Sequence, residues 1–392
     1  MEYNSILVRY DEIALKGRNR GRFEKRLAEN IRAALNREFS NKFKIQCDRG
    51  RLVIKGERLN PYALKNVFGI TSVSPTLKVS NLPEEITEKA LEVAEGEWKN
   101  ILAISANKKK FRVTAQRGFK AFPKTSMEIE SAVGSMIQKR FPDLEVDLTD
   151  YDLELGIDVR PDASYIFTDR ISCFRGLPVG INQRLVALIS GGIDSPVAAW
   201  MLMKRGCSIT FVHFHAHPYT APAAKQKVLE LVTVLKKFQN DTVIYFVPFA
   251  EIQLVINKNV PERYRTILYR RMMHRIADTI KERENAYGLI TGDSIGQVSS
   301  QTVENMRSIM EAIPGPVFQP LIGMDKVEII EKAKMIGTFD ISIQDVADCC
   351  TLFTPRSPVI SSTINEIQRV EENLDIPKLI DDVVNHLEKV FL

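Results

Sequence analysis

Residues 185–196 read LVALISGGIDSP, and this stretch indicates the fold of the second half of the chain. An apolar, strand-like run leads into a turn with two adjacent glycines, and Pro196 stands where the first turn of a helix is expected. Strand-like runs and amphipathic helical patterns alternate from there on, which is typical of a parallel, doubly wound α/β sheet. The strand-like runs are residues 185–189, 209–214, 243–247 and 289–291, and the helical patterns are residues 197–204, 224–238 and 264–283.

The glycine turn is predicted to bind phosphate. Gly191 and Gly192 let the backbone turn sharply and approach a ligand without a Cβ in the way. Successive N–H groups and the start of the next helix form an anion site, to which the hydroxyls of Ser190 and Ser195 add donors. Because no Lys-Ser or Lys-Thr pair ends the turn, it differs from the Walker pattern and suits pyrophosphate as a leaving group. Asp194 is then the candidate ligand of Mg²⁺.

An ordinary strand-to-helix turn is the alternative, since short Gly-Gly turns are common. The position of this turn favours ligand binding. It follows the first strand of the predicted sheet, and ligands of such sheets gather at the carboxyl ends of the strands.

At 392 residues the chain is too long for one ordinary domain. We predict two α+β units at residues 1–60 and 61–172, followed by the doubly wound unit at residues 173–392. The composition, 44% hydrophobic and 26% charged, is that of a globular protein. No apolar run approaches the roughly 18 residues that a membrane span needs. The first residues, MEYN, do not resemble a signal peptide, so we expect a cytoplasmic protein without membrane contact.

The two front units are defined by short elements. In the first, a strand at residues 6–10 precedes a helix at residues 23–39, whose apolar residues recur at every fourth position, and a hairpin follows at residues 44–54. In the second unit the sequence predicts, in order, a helix at 85–102, a strand at 111–115, a helix from the N-cap Ser126 to Arg140, and a strand pair at 146–148 and 155–159.

The excess of positive over negative charge lies in the front half of the chain. Residues 1–183 contain 31 Lys and Arg against 25 Asp and Glu, whereas the rest contains 23 against 24. Such an imbalance favours a polyanion as partner, although a solvated surface is the alternative. The candidate RNA-binding cations are Lys16, Arg18, Arg20, Lys108, Lys109, Lys110, Arg112, Arg117, Lys120, Lys124, Lys139 and Arg140.

Several motifs together carry a resemblance to a known family. The turn SGGIDS at residues 190–195 looks like the signature of PP-loop ATP pyrophosphatases, a superfamily with several activities. The pattern FRVxAxR at residues 111–117, with KAFP at 120–123, is similar to a THUMP domain, an RNA-binding module. With Asp-Cys-Cys-Thr at residues 348–351 downstream, the whole chain resembles the tRNA 4-thiouridine synthetases (tRNA sulfurtransferases).

That resemblance implies an architecture and a reaction. The architecture is a ferredoxin-like front unit, a THUMP domain and a PP-loop catalytic domain, acting as a homodimer. The reaction is adenylation of O4 of uridine 8 of tRNA by ATP, followed by displacement of AMP by a persulfide sulfur. Some members also pass sulfur to a small carrier protein for the thiazole of thiamine.

The resemblance also implies an ATP site. Most of the residues implied for this site lie at the ends of predicted strands, where the sheet edge would meet a nucleotide. Arg270 is a cation that could reach phosphate. Core packing is the alternative for the apolar members, and Arg271 beside Arg270 leaves open which arginine faces the ligand. Besides Ser190, Gly191, Gly192, Asp194 and Ser195, the implied residues are Leu188, Ile189, His213, Phe214, Arg270, Gly292 and Gln301.

Lys326 matches a family lysine linked to catalysis, and a cation there would stabilise the phosphoryl group during adenylation. The sequence alone favours a solvated lysine at a helix start, with Asp325 as the N-cap.

Cys349 is the predicted sulfur-carrying thiol. The five cysteines are an odd number without a metal-like repeat, which fits a reduced cytosolic protein. Cys349 stands in a polar, proline-bounded loop, and a sulfur carrier needs an accessible thiolate. Cys350 is the alternative, and Cys207 is the candidate resolving thiol.

One departure from the family concerns the sulfur source. Longer members carry a rhodanese domain whose cysteine bears the persulfide, whereas the sequence given ends at Leu392 after one helical stretch. A cysteine desulfurase or a separate sulfur carrier is therefore the expected donor to Cys349.

Rival interpretations remain open. His213, His215 and His217 alternate on a predicted strand end and could ligate a metal. Another PP-loop ligase, thiolating or amide-forming, is a rival enzyme, and a non-catalytic tRNA-binding or sulfur-relay adaptor is a rival of a different class.

Overall fold

The computed structural model describes residues 3–38, 42–48, 50–104, 110–219, 221–346 and 355–392. The chain forms two compact units, Met1–Leu177 and Pro178–Leu392. The predicted boundaries at residues 60 and 172 stay predictions. Among the described residues, no helix combines the length and apolar character that crossing a membrane requires.

The first unit is built on one antiparallel-rich sheet. Within the described residues its strands run in the order β2-β3-β1-β4-β8-β7-β5-β6, with β9 also beside β4. The strands are β1 (Ser5–Arg9), β2 (Phe43–Asp48), β3 (Arg51–Gly56), β4 (Ser72–Val79), β5 (Lys110–Arg117), β6 (Glu145–Val146), β7 (Leu153–Val159), β8 (Ser164–Phe167) and β9 (Ile171–Ser172).

Three helices cover this sheet: α1 (Arg20–Glu38), α2 (Pro83–Ile104) and α3 (Ser126–Arg140). The predicted face of α1 is confirmed, because Leu27, Ile31 and Leu35 are fully buried in one core with residues of β1 and β3. The helices α2 and α3 share a second core with β5 and β7.

Two local predictions in this unit were wrong. Ser126 is the first residue of α3 and not its N-cap, because Thr125 accepts from the Glu128 N–H while Glu128 accepts from Thr125. The strands β6 and β7 do not pair with each other, since β5 lies between them and is parallel to both.

The second unit is the predicted doubly wound α/β fold. Its sheet order, within the described residues, is β14-β13-β10-β11-β12-β15. All neighbours are parallel except β15, which is antiparallel to β12. The strands are β10 (Leu185–Leu188), β11 (Ile209–His215), β12 (Val243–Pro248), β13 (Leu289–Ile290), β14 (Val317–Phe318) and β15 (Glu388–Phe391).

The helices of this unit pack on both faces of the sheet, and the chain end differs from expectation. Two helices and the edge strand β15 replace the single helical stretch that the sequence predicted. The helices are α4 (Asp194–Lys204), α5 (Pro222–Lys236), α6 (Ala250–Asn259), α7 (Arg265–Arg283), α8 (Val303–Met310), α9 (Lys326–Ile336), α10 (Phe339–Ser342), α11 (Ile364–Glu371) and α12 (Ile376–Val384).

Short 3-10 helices complete the two units, at Glu12–Leu15, Gly17–Asn19, Pro61–Leu64, Glu262–Tyr264 and Ser299–Gln301.

Strand order fixes where a ligand can bind in the second unit. The chain proceeds from β10 outward to β11 and β12, and then returns to the other side of β10 with β13 and β14. The order therefore reverses at β10, and a crevice opens at the carboxyl ends of β10 and β13. The glycine turn leaves β10 at this point.

Candidate active site

The glycine turn is closed by its own serines. The Oγ of Ser195 accepts a hydrogen bond from the Ser190 N–H at 2.9 Å, and the two Oγ atoms lie 3.1 Å apart. The Gly192 N–H donates to Ser190 Oγ at 3.3 Å. Because α4 begins at Asp194, the turn lies at a helix N-terminus, where backbone N–H groups favour an anion.

Gly292 is required by close packing against this turn. A Cβ added at Gly292 would lie 2.8 Å from the backbone N of Ser195 and 2.9 Å from the carbonyl carbon of Asp194. Both of those atoms belong to the backbone and cannot rotate away. The end of β13 therefore contacts the start of α4 only because residue 292 has no side chain.

The structure joins two of the predicted catalytic residues. Lys326 Nζ donates to a carboxylate oxygen of Asp194 at 2.6 Å, and Gln297 donates to the other oxygen at 2.9 Å. Asp325 is the N-cap of α9, as predicted, and its capping box with Glu328 fixes Lys326 at the first helical position. The ammonium group of Lys326 thus lies beside the glycine turn.

The residues at the turn fit a magnesium ion that arrives with phosphates. Mg²⁺ in nucleotide sites is commonly held by one or two carboxylates together with phosphate oxygens and water. Asp194 supplies one such carboxylate, 20% exposed. Among the described residues, no group of three His, Cys, Asp or Glu side chains could hold a metal by itself.

Beside the turn lies a cavity of about 350 Å³, within the range of small-molecule sites. Seven predicted ATP-site residues line it. They are Leu188, Ser190, Asp194, Ser195, Arg270, Gly292 and Gln301. Eight further lining residues were not among the predicted site residues: Thr266, Tyr269, Met273, His274, Thr291, Asp293, Val298 and Ser300.

Arg270 is held at the cavity wall by a buried carboxylate. One guanidinium nitrogen donates to both oxygens of Asp293, at 2.6 and 2.7 Å. Thr291, Gln301 and Gln319 also donate to that carboxylate. Burial would raise the pKa of Asp293, but the charge of Arg270 and these hydrogen bonds outweigh it and lower the pKa to about 2. Asp293 stands three residues after the last residue of β13, so the rule about strand ends could have identified it.

The neighbouring arginine has a different role. Arg271 is 1% exposed and pairs with Glu371 of α11, through Nε at 2.8 Å, and with Glu311. Arg275 adds a second ion pair to Glu371 at 2.7 Å. Arg271 anchors α7 to α11, and Arg270 faces the cavity.

Several buried polar atoms in the cavity wall have no hydrogen-bond partner among the described residues. They are the Tyr269 hydroxyl, both ring nitrogens of His274 and Oε1 of Gln301. Leaving such groups unpaired costs free energy, which a polar ligand would recover. Burial, together with the charge of Arg270, lowers the pKa of His274 to about 3, so its ring is neutral.

The cavity-lining residues of α7 have the sequence spacing of one helix face. Thr266 and His274 stand four residues before and after Arg270, and Met273 stands three residues after it. Residues so spaced share one helix face. Once Arg270 was chosen, its neighbours on α7 could have been predicted.

His213 and Phe214 do not line the cavity. His213 is 2% exposed, and its Nδ1 lies 3.0 Å from the Ile189 carbonyl oxygen. The Phe214 ring packs edge-to-face against Phe249 in the core. Ile189 is buried as well, and the side chains contribute to packing. Any contact with ATP would have to come from the backbone, and their assignment to the ATP site stays a prediction.

The histidine-cluster alternative gains no support. His215 follows on the same strand, and burial, with the charges of His213 and Lys225, lowers its pKa to about 4. His213 already contacts the Ile189 carbonyl. The described residues contain no metal-binding group of three here, as at the turn.

Of the predicted thiols, Cys349 and Cys350 lie outside the described residues. Cys207 stands two residues before β11, at the amino edge of the sheet, whereas the glycine turn is at the carboxyl edge. Burial raises the pKa of its thiol, against the effect of Arg205. The structure therefore does not bring Cys207 to the turn, and it is a weak nucleophile where it lies.

The predicted RNA-binding cations fall into two groups. Four are engaged by acidic neighbours within the first unit. Lys110 pairs with Asp147 and Asp150, Arg112 with Glu154, Lys16 with Glu12 and Arg20 with Glu24. The hydrogen bonds that Lys110 donates to Asp150 and Asp147 raise the pKa of its ammonium group.

The second group is more accessible. Arg18, Lys120, Lys139 and Arg140 are exposed, and Lys124 and Arg117 are half-buried. Arg140 lies 4.0 Å from Glu95, and Arg117 donates to the Phe122 carbonyl at 3.3 Å. Lys108 and Lys109 lie outside the described residues.

Family models match three segments of the chain in succession. The ThiI ferredoxin-like domain matches residues 5–74, and the THUMP domain matches residues 83–169. Residues 180–376 match the model described as thiamine biosynthesis protein (ThiI).

Similarity to individual proteins extends over the full length. A probable tRNA sulfurtransferase of Brevibacillus brevis is 40% identical, over 99% of this chain and 96% of its own. A crystal structure of a 4-thiouridine synthetase–RNA complex with bound ATP has a TM-score of 0.89 and 39% identity, covering 100% of both chains. A protein of known structure from Pyrococcus horikoshii Ot3 has a TM-score of 0.67 and 29% identity, over 85% of this chain and 99% of its own.

Proposed function

We propose that this chain, which belongs to the ThiI family of tRNA sulfurtransferases, uses ATP to convert uridine 8 of tRNA to 4-thiouridine. The observation that carries the proposal is the pairing of Lys326 with Asp194 at the glycine turn, beside a nucleotide-sized cavity. A phosphate turn, a cation and a carboxylate are the groups that transfer of an adenylyl group requires. The full-length similarity to a 4-thiouridine synthetase crystallised with RNA and ATP supports the choice of substrates.

In the first step O4 of the uridine attacks the α-phosphorus of ATP, and the bond to pyrophosphate breaks. The N–H groups of the turn and of the start of α4 bind phosphate oxygens. Lys326 stabilises the negative charge on the α-phosphoryl group, and Arg270 faces the nucleotide from α7. A Mg²⁺ ion bound with ATP would neutralise phosphate charge, with Asp194 as its protein ligand.

In the second step sulfur replaces the activated oxygen. The outer sulfur of a persulfide on Cys349 attacks C4, and AMP leaves with the oxygen. A second thiol then attacks the sulfur of Cys349, which forms a disulfide and leaves one sulfur on the uridine. We propose that a cysteine desulfurase or a separate sulfur carrier supplies the persulfide to Cys349.

The role of Cys349 has a direct test. With desulfurase and cysteine as the sulfur source, the Cys349→Ser chain should release pyrophosphate in a tRNA-dependent manner but form no thiolated tRNA and release no AMP from the adenylated uridine. Cys350→Ser is the matched control and should keep thiolation. Free sulfide must be left out, because it would bypass the thiol. Undiminished thiolation by Cys349→Ser would remove this residue from the mechanism.

For tRNA we propose a surface on the first unit, formed by the exposed cations Arg18, Lys120, Lys139 and Arg140. Such residues contact phosphates and read the shape of the RNA more than its sequence. Lys110 and Arg112 contribute less in this proposal, because acidic neighbours already neutralise them. A homodimer and sulfur delivery for thiamine synthesis follow from the family resemblance alone.

The experiment that tests the function measures AMP and pyrophosphate formed from ATP with and without unmodified tRNA, in the presence of a desulfurase–cysteine sulfur source, because AMP leaves only when sulfur attacks C4. We expect both products to require tRNA, and Asp194→Asn to abolish them. A sulfur-relay adaptor would form neither product. A PP-loop ligase for another substrate would form them without regard to uridine 8, so tRNA carrying cytidine at that position is the discriminating control.

A further inference from the structure

A second lysine lies against the glycine turn, at Gly191. Lys227 belongs to α5 and is 6% exposed. Its side chain packs across Gly191: a Cβ at Gly191 would lie 3.3 Å from Cδ of the lysine and 3.7 Å from Nζ. The ammonium group therefore reaches the first glycine of the turn, through the space that the missing side chain leaves.

Neighbouring contacts hold this lysine in place. Lys227 Nζ donates one of its hydrogens to the carbonyl oxygen of Gln344 at 2.8 Å. The hydroxyl of Ser342, at the end of α10, donates to the Gly192 carbonyl at 3.2 Å. The turn, α5 and the segment after α10 thus pack together around the ammonium group, so its position is built into the fold.

A fixed ammonium group that is shielded from water interacts more strongly with a nearby anion than a solvated one does. The turn beside it directs backbone N–H groups and a helix N-terminus to an anion site. The two lysines thus flank that site from different elements. Lys326 stands at the Asp194 end, on α9, and Lys227 stands at the Gly191 end, on α5.

We propose that Lys227 is the residue that binds the β- and γ-phosphates of ATP and stabilises pyrophosphate as it leaves. When the bond between the α-phosphorus and the bridging oxygen breaks, that oxygen keeps the electron pair, and the pyrophosphate gains negative charge. A fixed ammonium group at that place stabilises the charge in the transition state. This inference rests on the proposed adenylation, and it divides the work between a lysine for the α-phosphoryl group and a lysine for the leaving group.

The test compares two ligands that differ in the phosphates concerned. Magnesium pyrophosphate carries the leaving group, whereas AMP carries only the α-phosphate. Lys227→Met removes the charge and keeps the length of the side chain. By titration calorimetry we expect its dissociation constant for magnesium pyrophosphate to rise about tenfold or more, as for loss of one charged hydrogen bond, with that for AMP changed less than about twofold.

Two variants serve as controls. Lys227→Arg keeps the charge and should retain most of the pyrophosphate affinity, which excludes a merely structural loss. Lys225→Met changes a half-buried lysine two residues earlier on α5 that pairs with Glu388, and this variant should bind both ligands like the parent chain.

The outcomes separate the inference from the proposed function. An unchanged pyrophosphate affinity in Lys227→Met overturns the inference, and so does an equal loss for pyrophosphate and AMP, which would indicate a structural role. If the parent chain binds both ligands but releases no pyrophosphate from ATP with tRNA, the proposed function fails while the binding role of Lys227 is still measured.

Discussion

Replacing Arg270 by Met tests whether the wall of the nucleotide cavity depends on a buried ion pair. Arg270 is the cation that contacts both oxygens of Asp293, and that carboxylate has a side-chain exposure of only 6%. The change removes the charge but keeps an apolar side chain of similar reach. It leaves the carboxylate of Asp293 buried without its cation, and an unpaired buried charge strongly destabilises the folded state.

The structure sets the size of the effect. The pKa of Asp293 falls from its ordinary 3.8 to about 2 in the folded chain, which corresponds to about 2 kcal/mol of stability above pH 4. Breaking a buried pair commonly costs about 3–5 kcal/mol. Because Thr291, Gln301 and Gln319 still donate to the carboxylate, we expect an effect at or just below the lower end of this range, about 2–3 kcal/mol at pH 7.

The dependence on pH distinguishes this cause from a packing defect. Because the pKa of Asp293 is lowered in the folded chain, its ionised carboxylate stabilises the parent chain above pH 3.8, and that stabilisation is lost as the pH falls toward 2. In Arg270→Met the pKa of Asp293 in the folded chain should rise. This carboxylate then takes up a proton at higher pH, and its protonation removes the unpaired buried charge. The difference in unfolding free energy should therefore shrink between pH 7 and pH 4.

The assay is urea unfolding of the parent chain, Arg270→Met, Asp293→Asn and the double variant at several pH values. We expect the double variant to be more stable than Arg270→Met alone, because it has no buried unpaired charge. A difference that does not change with pH, or a double variant as unstable as the sum of the single ones, would refute the reasoning.

Three further predictions concern the turn, the catalytic lysine and the RNA surface. Gly292→Ala should weaken ATP binding at least about tenfold and lower the unfolding free energy by about 1–3 kcal/mol, because the new Cβ meets the backbone of Ser195; equal ATP affinity by calorimetry would contradict this. Lys326→Met should reduce kcat for tRNA-dependent AMP formation about a hundredfold with little change in the KM for ATP, and a change in KM alone would show that the lysine only binds substrate. Lys120→Glu should weaken tRNA binding and flatten its dependence on salt, whereas Lys110→Met, which removes an already paired cation, should have a smaller effect; the reverse order would place the RNA elsewhere.

Much of the second unit could be predicted because its signals are local. The central strands are mostly apolar, and the glycine turn closely follows the first of them. Parallel strands bring their carboxyl ends to one edge, so residues that are distant in sequence, such as Ser190 and Gly292, were placed together correctly. The edge strand β15 was missed because its four residues are mostly exposed and show no alternating pattern.

The parts that could not be predicted depend on tertiary partners. The adjacent arginines 270 and 271 have the same local sequence signal, and only Asp293 and Glu371 give them different roles. The candidate RNA-binding cations from Lys108 onward were chosen by their own charge, without regard to the acidic residues between 143 and 154. Those acidic residues neutralise Lys110 and Arg112 after the chain folds back.

The measurement that tests the central claim most directly is mass spectrometry of tRNA nucleosides after incubation of unmodified tRNA with the chain, ATP, Mg²⁺ and a desulfurase–cysteine sulfur source. The account predicts 4-thiouridine, located at uridine 8, and none of it when ATP is left out or when Asp194→Asn replaces the parent chain. A sulfur at C2 of uridine, or 4-thiouridine that forms without ATP, would contradict it.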